Sequence, residues 1–206
     1  MLKVQKMTLG SFMTNVYFII DDVSKECLIA DPADNAEMIY EKTSSQGLRI
    51  SGILLTHAHF DHIMALEKLR DITSSPVMLA EAENELLCDP ERNLMTTYGD
   101  GSKCRPGDVL LNEGDVIKLG NNSIDVIVLP GHTPGSCAYL FDDCMISGDT
   151  IFREGVGRYD FPGGDYFKLR ESLKRLAQFE KNYRIFPGHG PSTTLEHEKQ
   201  FNISLL

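Results

Sequence analysis

Histidine and aspartate are concentrated in one short segment of this 206-residue chain. The segment Thr56–His62 carries an H-x-H-x-D-H motif and directly follows an apolar run that predicts a buried strand. His57 and His59 lie two residues apart in extended chain, so both imidazoles project to the same side. Asp61 and His62 begin the next predicted helix and turn back towards them. Few chains with six histidines carry such a motif by chance, so it strongly indicates a metal site.

Three more ligand-type residues occupy similar positions further along the chain. His132, Asp149 and His189 each come one to four residues after a predicted buried strand, and glycine flanks each of them. If these strands lie side by side and point the same way, their ends converge on one rim, where sites are found in α/β proteins. The glycines allow sharp backbone turns without steric cost. We therefore expect these side chains to meet the histidine motif at one edge.

The ligand set suits two metal ions better than one. Five imidazoles and two carboxylates exceed the four ligands of one tetrahedral ion, but they suit two ions about 3.5–4 Å apart that share a carboxylate and a water. Imidazole and carboxylate without thiolate favour Zn²⁺, with Fe or Mn as alternatives. His197, the sixth histidine, lacks this glycine-flanked context and is predicted to be an ordinary residue. The candidate ligands are His57, His59, Asp61, His62, His132, Asp149 and His189.

The elements that position these residues follow from the apolar periodicity. The predicted strands are Val16–Ile20, Cys27–Ala30, Ile50–Leu55, Val77–Leu79, Asp115–Leu119, Ser123–Leu129, Cys137–Phe141, Cys144–Ser147 and Tyr183–Phe186. The predicted helices are Asn35–Ser45, Asp61–Arg70, Glu81–Leu87, Asp165–Phe179 and one from about Leu195. The stretch from Asp89 to Gly107 lacks periodicity and is predicted to be a loop long enough to cover a site. This mixture of β meanders and βα units predicts a layered α/β or α+β sandwich.

Composition and charge restrict the class of protein. Apolar residues make up 42% and charged residues 24%, which is typical of a globular chain that buries a core. The formal net charge of −10 argues against a nucleic-acid binder, which needs a basic face. No stretch approaches the roughly 18 apolar residues of a membrane span, and no signal-peptide cleavage site follows the N-terminal apolar run. We therefore expect one domain over residues 1–206, in the cytoplasm, without nucleic-acid or membrane partners.

Cysteine is not predicted to contribute to the site. The five cysteines are odd in number and form no Cys-x-x-Cys pair, so neither a disulfide framework nor a zinc ribbon is indicated. Cys27, Cys137 and Cys144 sit in apolar, strand-like runs and are predicted to be small buried hydrophobic residues.

These motifs resemble the metallo-β-lactamase superfamily, and more narrowly its glyoxalase II-like (hydroxyacylglutathione hydrolase-like) members in a short, single-domain form. The resemblance implies a four-layer αββα sandwich with the metals at the edge between two sheets. It spans nearly the whole chain, and the segments that carry it are Asn15–Tyr17, Asp31–Pro32, Thr56–His62, Gly131–Ser136, Ser147–Phe152, Gly155–Gly164 and Phe186–Pro191.

The resemblance also divides the ligands between two metals and implies a reaction. By motif position, the first ion would be held by His57, His59 and His132, the second by Asp61, His62 and His189, and Asp149 would bridge them. Asp61 and Asp149 would then be the catalytic carboxylates. A water between two cations has a pKa of about 7 instead of 15.7, and the resulting hydroxide would attack a thioester or ester carbonyl. A small-molecule thioester such as an S-acylglutathione is the expected substrate.

Departures from the family pattern affect the expected substrate site. Only 17 residues follow His189, so we expect the chain to lack the helical C-terminal domain that supplies much of the glutathione site in glyoxalase II. The family segment that contacts glutathione corresponds here to Gly155–Asp160, which makes Arg158 and Tyr159 the candidate substrate-binding residues. Arg158 could grip a substrate carboxylate through two hydrogen bonds or form an internal ion pair with Asp160.

Other interpretations use the same ligands. Persulfide dioxygenases share the histidine motif and a similar Gly-x-Gly-Arg-x-Asp-Phe stretch, and this resemblance would imply one iron held by His57, His132 and Asp149. A lactonase or β-lactamase would use the same metals with a different pocket. A nuclease is disfavoured by the negative charge. A structural zinc site is disfavoured because such sites are closed and rich in cysteine.

Asp31 allows two interpretations. It follows the predicted strand Cys27–Ala30, and Pro32 ends that strand. The favoured interpretation is a plain turn residue. The alternative is a hydrogen-bond partner that orients one of the ligand histidines.

Overall fold

The first of two large sheets contains the strands of the N-terminal half. The computed structural model describes residues 1–205. In spatial order the first sheet holds β1 (Lys3–Leu9), β2 (Thr14–Asp21), β3 (Glu26–Ala30), β4 (Arg49–Leu54), β5 (Val77–Ala80) and β6 (Val109–Leu111). Strands β1 to β3 are antiparallel, and β3 to β6 run parallel. The apolar pattern does not reveal β1 or β6, because most of their residues are half-buried or exposed.

The second sheet contains the strands of the C-terminal half. In chain order they are β7 (Val116–Leu119), β8 (Asn122–Val128), β9 (Cys137–Phe141), β10 (Cys144–Gly148), β13 (Arg184–Pro187) and β14 (Thr193–Thr194), and β11 (Ile151–Phe152) pairs separately with β12 (Gly155–Val156). The spatial order is β14-β13-β10-β9-β8-β7. Both predicted hairpins are confirmed, since β7 pairs antiparallel with β8 and β9 with β10.

Seven helices flank the sheets in the described part of the chain. They are α1 (Ala36–Ser44), α2 (Phe60–Ile63), α3 (Leu66–Thr73), α4 (Asn84–Leu87), α5 (Met95–Tyr98), α6 (Tyr166–Ala177) and α7 (Leu195–Phe201), with a 3₁₀ turn at Glu81–Glu83 before α4. The prediction of one helix over Asp61–Arg70 is wrong. The backbone N–H of Ala65 donates to the carbonyl of Pro32 at 3.0 Å, which ends α2 before α3 begins. The predicted loop 89–107 also contains the single turn of α5.

Three apolar layers show that the molecule is an αββα sandwich. Alternate side chains of β2 divide between two layers: Val16 and Phe18 pack against the helices that cover the first sheet, and Tyr17 and Ile19 pack between the sheets. A third layer lies between the second sheet and α6, where Leu173 is buried. The αββα architecture is therefore confirmed, and it explains why so many strands are buried on both faces.

The predicted ligand loops meet where the two sheets adjoin. Of the strands before these loops, only β10 and β13 lie side by side and parallel. β4 belongs to the first sheet, whereas β8, β10 and β13 belong to the second, with antiparallel β9 between β8 and β10. The carboxyl ends still converge because hydrogen bonds join the sheets there. Asn15 N–H donates to the carbonyl of Gly188 at 2.7 Å, and Cys137 N–H donates to that of Thr56 at 2.9 Å.

The cysteines take no part in disulfide bonds, as their number and spacing predict. All five cysteines are free thiols, and Cys27, Cys137 and Cys144 are buried as predicted. Burial raises the pKa of Cys27 and Cys137 to about 12, so these thiols stay protonated at neutral pH. Within residues 1–205, the structure contains no helix with the length and apolar character needed to cross a membrane.

Candidate metal centre

A first ligand cluster joins the histidine motif to the loop after β8. It consists of His57 and His59, on the extended segment between β4 and α2, and His132 beyond β8. All three side chains are buried, and one ligand atom from each lies within 4.8 Å of the others. Nδ1 of His59 is 2.9 Å from Nε2 of His132. The structure therefore brings together the three residues assigned to one ion.

A second ligand cluster lies beside it, at the start of α2. Its members are Asp61 and His62, on the first turn of α2, and His189 beyond β13; their ligand atoms again lie within 4.8 Å of one another. Oδ2 of Asp61 is 3.2 Å from Nε2 of His189 and 3.7 Å from that of His62. The hydroxyl of Thr14 donates to the same carboxylate oxygen at 2.9 Å and holds it in this orientation.

Asp149 faces both clusters from the end of β10. Its Oδ2 lies 3.7 Å from Nε2 of His132 in the first cluster and 3.5 Å from Nε2 of His189 in the second. Its Oδ1 lies 3.4 Å from Nε2 of His62. This is the place that a carboxylate shared by two ions would occupy.

Backbone carbonyls orient two of the ligand rings. Nδ1 of His132 donates to the carbonyl of Arg158 at 2.6 Å, and Nδ1 of His189 donates to that of Phe12 at 3.1 Å. A neutral imidazole that donates through Nδ1 carries its lone pair on Nε2, which is the atom that can bind a metal. The carbonyls thus select the tautomer that turns a lone pair towards Asp149.

Asp31 orients two further ligand rings, so its interpretation as a plain turn residue is wrong. The residue has a left-handed backbone, with φ of +54°. Its Oδ2 accepts hydrogen bonds from Nδ1 of His62 at 3.1 Å and from the Thr56 hydroxyl at 2.7 Å. The Thr56 oxygen in turn accepts from Nδ1 of His57 at 3.1 Å. Asp31 therefore holds one ligand directly and a second through a hydroxyl.

The centre contains buried polar atoms that the protein leaves unpaired. Nε2 of His57, His59 and His62 and Oδ1 of Asp149 are buried and have no hydrogen-bond partner among residues 1–205. An unpaired buried polar atom costs about 1–3 kcal/mol, so four of them in one place require an explanation. Coordination to cations would satisfy Nε2 of His57 and His62 and Oδ1 of Asp149, whereas His59 faces His132 with its Nδ1. The donor set of imidazole nitrogens and carboxylate oxygens fits Zn²⁺, Fe or Mn.

The two clusters differ in their protonation. Burial lowers the pKa of every histidine in the first cluster, and that of His59 falls to about 3. Burial acts in the same direction in the second cluster, but Asp61 and Asp149 outweigh it. They raise the pKa of His62 well above its usual range and that of His189 to about 9. Burial likewise opposes ionisation of Asp149, but His62 and His189 hold its pKa well below the usual range.

Glu83 joins the two loops of the first cluster and was not singled out from the sequence. Its buried carboxylate accepts from Ala58 N–H at 2.8 Å, from the Thr133 hydroxyl at 2.9 Å and from Gly135 N–H at 2.7 Å. Burial raises the pKa of Glu83 to about 7, although these donors oppose the shift. Ala58 and Thr133 are neighbours of ligand histidines, so Glu83 sets the spacing between the loops. The only local signal is an acidic residue three positions after the buried strand β5.

Glycine permits close backbone approach at the centre. A Cβ atom on Gly188 would collide with Oδ1 of Asp149 and come within 2.6 Å of Cε1 of His62. A Cβ on Gly157 would collide with the carbonyl oxygen of Asp149 and lie 3.0 Å from Nδ1 of His132. Both glycines are therefore required by packing against ligands.

A cavity of about 470 Å³ opens onto both clusters. Besides the ligands it is lined by Phe12, Phe60, Tyr98, Phe152, Phe161 and Arg158. The guanidinium of Arg158 donates two hydrogen bonds to Asp160, at 2.7 and 2.8 Å. Of the two interpretations of Arg158, the structure thus contains the internal ion pair. Tyr98 belongs to the predicted loop 89–107, so this loop does reach the site.

Tyr159 and His197 lie away from this cavity. Tyr159 lines a separate cavity of about 480 Å³ and packs its ring 5.1 Å from that of Tyr166. The structure therefore does not bring Tyr159 to the metal ligands. His197 lies in α7, and its Nε2 is 2.9 Å from the carboxylate of Glu154. It takes no part in either cluster.

Comparison with known proteins places this geometry in a family. The profile described as the Metallo-beta-lactamase superfamily matches residues 9–189. The probable metallo-hydrolase YqgX of Bacillus subtilis is 35% identical over 205 residues, which cover 98% of this chain and 96% of that protein. The hydroxyacylglutathione hydrolase GloC of Haemophilus influenzae is 29% identical over 206 residues, which cover 98% of this chain and 97% of that protein.

Solved structures share the fold. The BLEG-1 B3 metallo-beta-lactamase has a TM-score of 0.90 and 35% identity, covering 98% of this chain and 99% of that one. TTHA1623 in a di-iron-bound form has a TM-score of 0.82 and 35% identity, covering 97% of this chain and 98% of that one. With the family profile and the two ligand clusters, these similarities show that the chain belongs to the metallo-β-lactamase superfamily and is a metal-dependent hydrolase.

Proposed function

We propose that this protein is a dinuclear metal-dependent hydrolase that cleaves a small-molecule thioester. The observation that carries the proposal is the position of Asp149, which faces His132 of one cluster and both His62 and His189 of the other. The ions of two-metal hydrolases lie about 3.5–4 Å apart, and a carboxylate that faces both ligand clusters can contribute to both ions. The similarity to GloC, a hydroxyacylglutathione hydrolase, supports a thioester as the bond that is cleaved.

Each part of the reaction corresponds to residues of the centre. Bound metal ions would acidify a water molecule and polarise the thioester carbonyl. Asp61 and Asp149 both have a pKa below the usual range, because His62 and His189 outweigh the effect of burial, so both remain ionised at neutral pH. Their oxygens can hold and orient the protons of the attacking water. The hydroxyl of Thr14 keeps Asp61 in place for this role.

We propose zinc as the resident metal, with iron or manganese as alternatives. Imidazole and carboxylate ligands suit all three metals, and the similarity to a di-iron-bound protein supports iron in particular. The net charge of −10 supports a small molecule over a nucleic acid as the partner, and we propose that the protein acts in the cytoplasm without a membrane partner.

The test is hydrolysis of thioesters by protein loaded with two zinc ions. The panel contains S-lactoylglutathione and acyl thioesters of N-acetylcysteamine, and loss of thioester absorbance is followed without oxygen. Turnover of about 1–10³ s⁻¹, the usual range for enzymes, is expected for at least one substrate. Absence of turnover on the whole panel, with both metals bound, would overturn thioester cleavage and point to lactones or β-lactams.

A single-iron persulfide dioxygenase is the alternative from another class. It would use His57, His132 and Asp149 and leave the second cluster without a role. The unpaired Nε2 of His62 and the three-residue second cluster favour two ions instead. The test is oxygen consumption by protein that holds one iron, with a persulfide as substrate. Oxygen uptake under these conditions would show that the protein is a dioxygenase.

Substitution of one ligand tests the metal assignment directly. His59→Ala removes a ligand of the first cluster, so metal content and turnover should fall together. The folded state should survive, because His59 lies at an edge of the sandwich. Unchanged turnover per bound metal would remove His59 from the set of ligands.

A further inference from the structure

We infer that the substrate presents an uncharged, apolar group to one side of the cavity, and that thioesters of charged thiols such as glutathione are poor substrates. This inference rests on the proposed thioester hydrolysis and specifies its substrate class. The side in question is formed by Phe12, Phe60 and Tyr98 and is called the aromatic wall below.

The aromatic wall is a packed cluster of three rings. The centroid of Phe12 lies 4.7 Å from that of Phe60 and 6.3 Å from that of Tyr98, and Phe60 and Tyr98 are 5.4 Å apart. Phe60 is buried, whereas Phe12 is 49% exposed and Tyr98 52% exposed. Exposed rings held together at a cavity are typical of sites that bind apolar groups. They offer a substrate a preformed apolar surface.

The aromatic wall is fixed to the catalytic centre on two sides. The carbonyl of Phe12 accepts the hydrogen bond from His189, and Phe60 directly precedes Asp61 on α2. A group seated against these rings therefore lies within reach of the metal ligands. Across the cavity, the ring of Phe161 packs 5.5 Å from that of His59, so apolar surface continues to the first cluster.

Among the described residues, no lysine or arginine is left free at this cavity. Arg158 is the only lysine or arginine among the described residues that line it, and both of its hydrogen bonds go to Asp160. The guanidinium also stacks on Phe161, with its central carbon 3.6 Å from the ring centroid. An Arg that is already paired and stacked has little left to offer a substrate carboxylate.

Glutathione carries two carboxylates, and the described lining of this cavity offers them no free lysine or arginine. A neutral thiol or an apolar acyl chain can instead bury carbon against the aromatic wall, which favours binding in proportion to the area removed from water. In the reaction, water adds to the carbonyl carbon and the C–S bond breaks. The products are a carboxylic acid and a free thiol, so no oxidant or reductant is involved.

Matched thioesters test the two halves of the substrate separately. S-phenylacetyl- and S-acetyl-N-acetylcysteamine differ only in the acyl group, and S-acetylglutathione differs from the latter only in the thiol. We expect the phenylacetyl thioester to exceed the acetyl thioester at least tenfold in kcat/KM, and the glutathione thioester to be the poorest of the three. Equal values for all three, or preference for glutathione, would overturn the inference while leaving thioester hydrolysis in place.

Substitutions test whether the aromatic wall causes the preference for the phenylacetyl thioester. Phe12→Ala and Tyr98→Ala should each reduce the phenylacetyl-to-acetyl ratio towards one, with metal content unchanged. Phe167→Ala, which truncates an exposed ring on α6 outside the cavity, should leave the ratio as it is. Asp160→Asn should free Arg158 and raise kcat/KM for S-acetylglutathione severalfold. If the wall variants keep the full ratio, the aromatic wall is not the binding surface.

A binding experiment separates this inference from the proposed function. Calorimetry compares 2-phenylethanethiol with glutathione on the zinc-loaded protein, and it needs no turnover. At least tenfold tighter binding of the phenyl thiol, lost in Phe12→Ala, would support the inference even if no thioester were hydrolysed. Equal or weaker binding would overturn it whether or not thioesters were hydrolysed.

Discussion

At the residue scale, four of the five ligand histidines depend on a hydrogen-bond partner that holds the ring. Asp31 fixes His62 directly and His57 through Thr56, and backbone carbonyls fix His132 and His189. These contacts select the tautomer and the direction of the lone pair before any metal arrives. The sites are therefore preorganised by residues that never touch the metal, and substitutions of those residues should weaken metal binding.

Glu83→Gln tests this dependence. The amide nitrogen of glutamine would face at least one backbone N–H that the carboxylate now accepts. We expect the free energy of unfolding to fall by about 2 kcal/mol and zinc affinity to fall roughly tenfold, the lower end for outer partners of ligands. Chemical denaturation and competition with a chelator measure the two effects.

A second buried glutamate provides the control for Glu83. Glu198 is also fully buried and accepts hydrogen bonds from Glu154 N–H and from the side chains of Thr193 and Asn202. Glu198→Gln should cost similar stability without loss of zinc affinity. If both variants lose affinity equally, the effect of Glu83 is general destabilisation and not the positioning of the loops.

The difference in protonation between the clusters predicts stepwise metal loading with pH. The first cluster is neutral because burial lowers its histidine pKa values, so its affinity for zinc should change little above neutral pH. In the second cluster, the metal must displace a proton from His189, whose pKa is about 9. Because His189 holds its proton below this pH, the zinc affinity of the second cluster should rise as the pH increases towards 9.

The measurement is the zinc-to-protein ratio at a fixed free zinc concentration. One ion per chain is expected well below the pKa of His189 and two ions near it and above. His189→Ala should hold one ion at every pH. If two zinc ions bind with the same affinity at every pH tested, the second cluster is not protonated before it binds metal, and the prediction is wrong.

At the element scale, the centre depends on how closely loops from two sheets can approach. The loop after β13 carries Gly188, whose missing side chain makes room for Asp149 from the neighbouring strand β10. Gly188→Ala should displace that carboxylate and reduce zinc affinity at least tenfold. Gly155→Ala is a suitable control, because its Cβ would meet nothing closer than 3.9 Å. Equal affinities in both variants would show that the loop absorbs the added atom elsewhere.

Sequence patterns predict most of the elements but not how they are arranged. The histidine motif and the glycine-flanked loops are local, so residue types and spacing indicate them. The division of strands between two sheets depends on pairing across long sequence separations, which no local pattern records. The break between α2 and α3 likewise arises from a contact of Ala65 with distant Pro32. Glu83 became recognisable as a link between the ligand loops only when its neighbours in space were known, and the same information decided between the two interpretations of Asp31.

At the scale of the whole molecule, the metal centre lies at one edge of the apolar layers, and of the segment Thr56–His62 only Ala58 and Phe60 belong to one of them. Three buried apolar clusters hold the sandwich together. Leu173 belongs to the cluster between the second sheet and α6, Ile19 to the cluster between the sheets, and Phe18 to the cluster between the first sheet and its helices. Within residues 1–205, the cysteines remain free, so no disulfide substitutes for this packing. The fold should therefore not require metal, although metal should stabilise it.

Metal removal tests this separation between fold and centre. Chelation should leave the far-ultraviolet circular dichroism spectrum unchanged, because the three apolar layers persist. It should lower the melting temperature by about 10 °C, since a ligand at 1,000 times its Kd contributes about 4 kcal/mol and a domain of this size shifts by about 2–4 °C per kcal/mol. Readdition of zinc should restore both melting temperature and hydrolysis. Unfolding on chelation, in a protein that cleaves neither thioesters nor lactones, would instead show that the metals serve only as structural support.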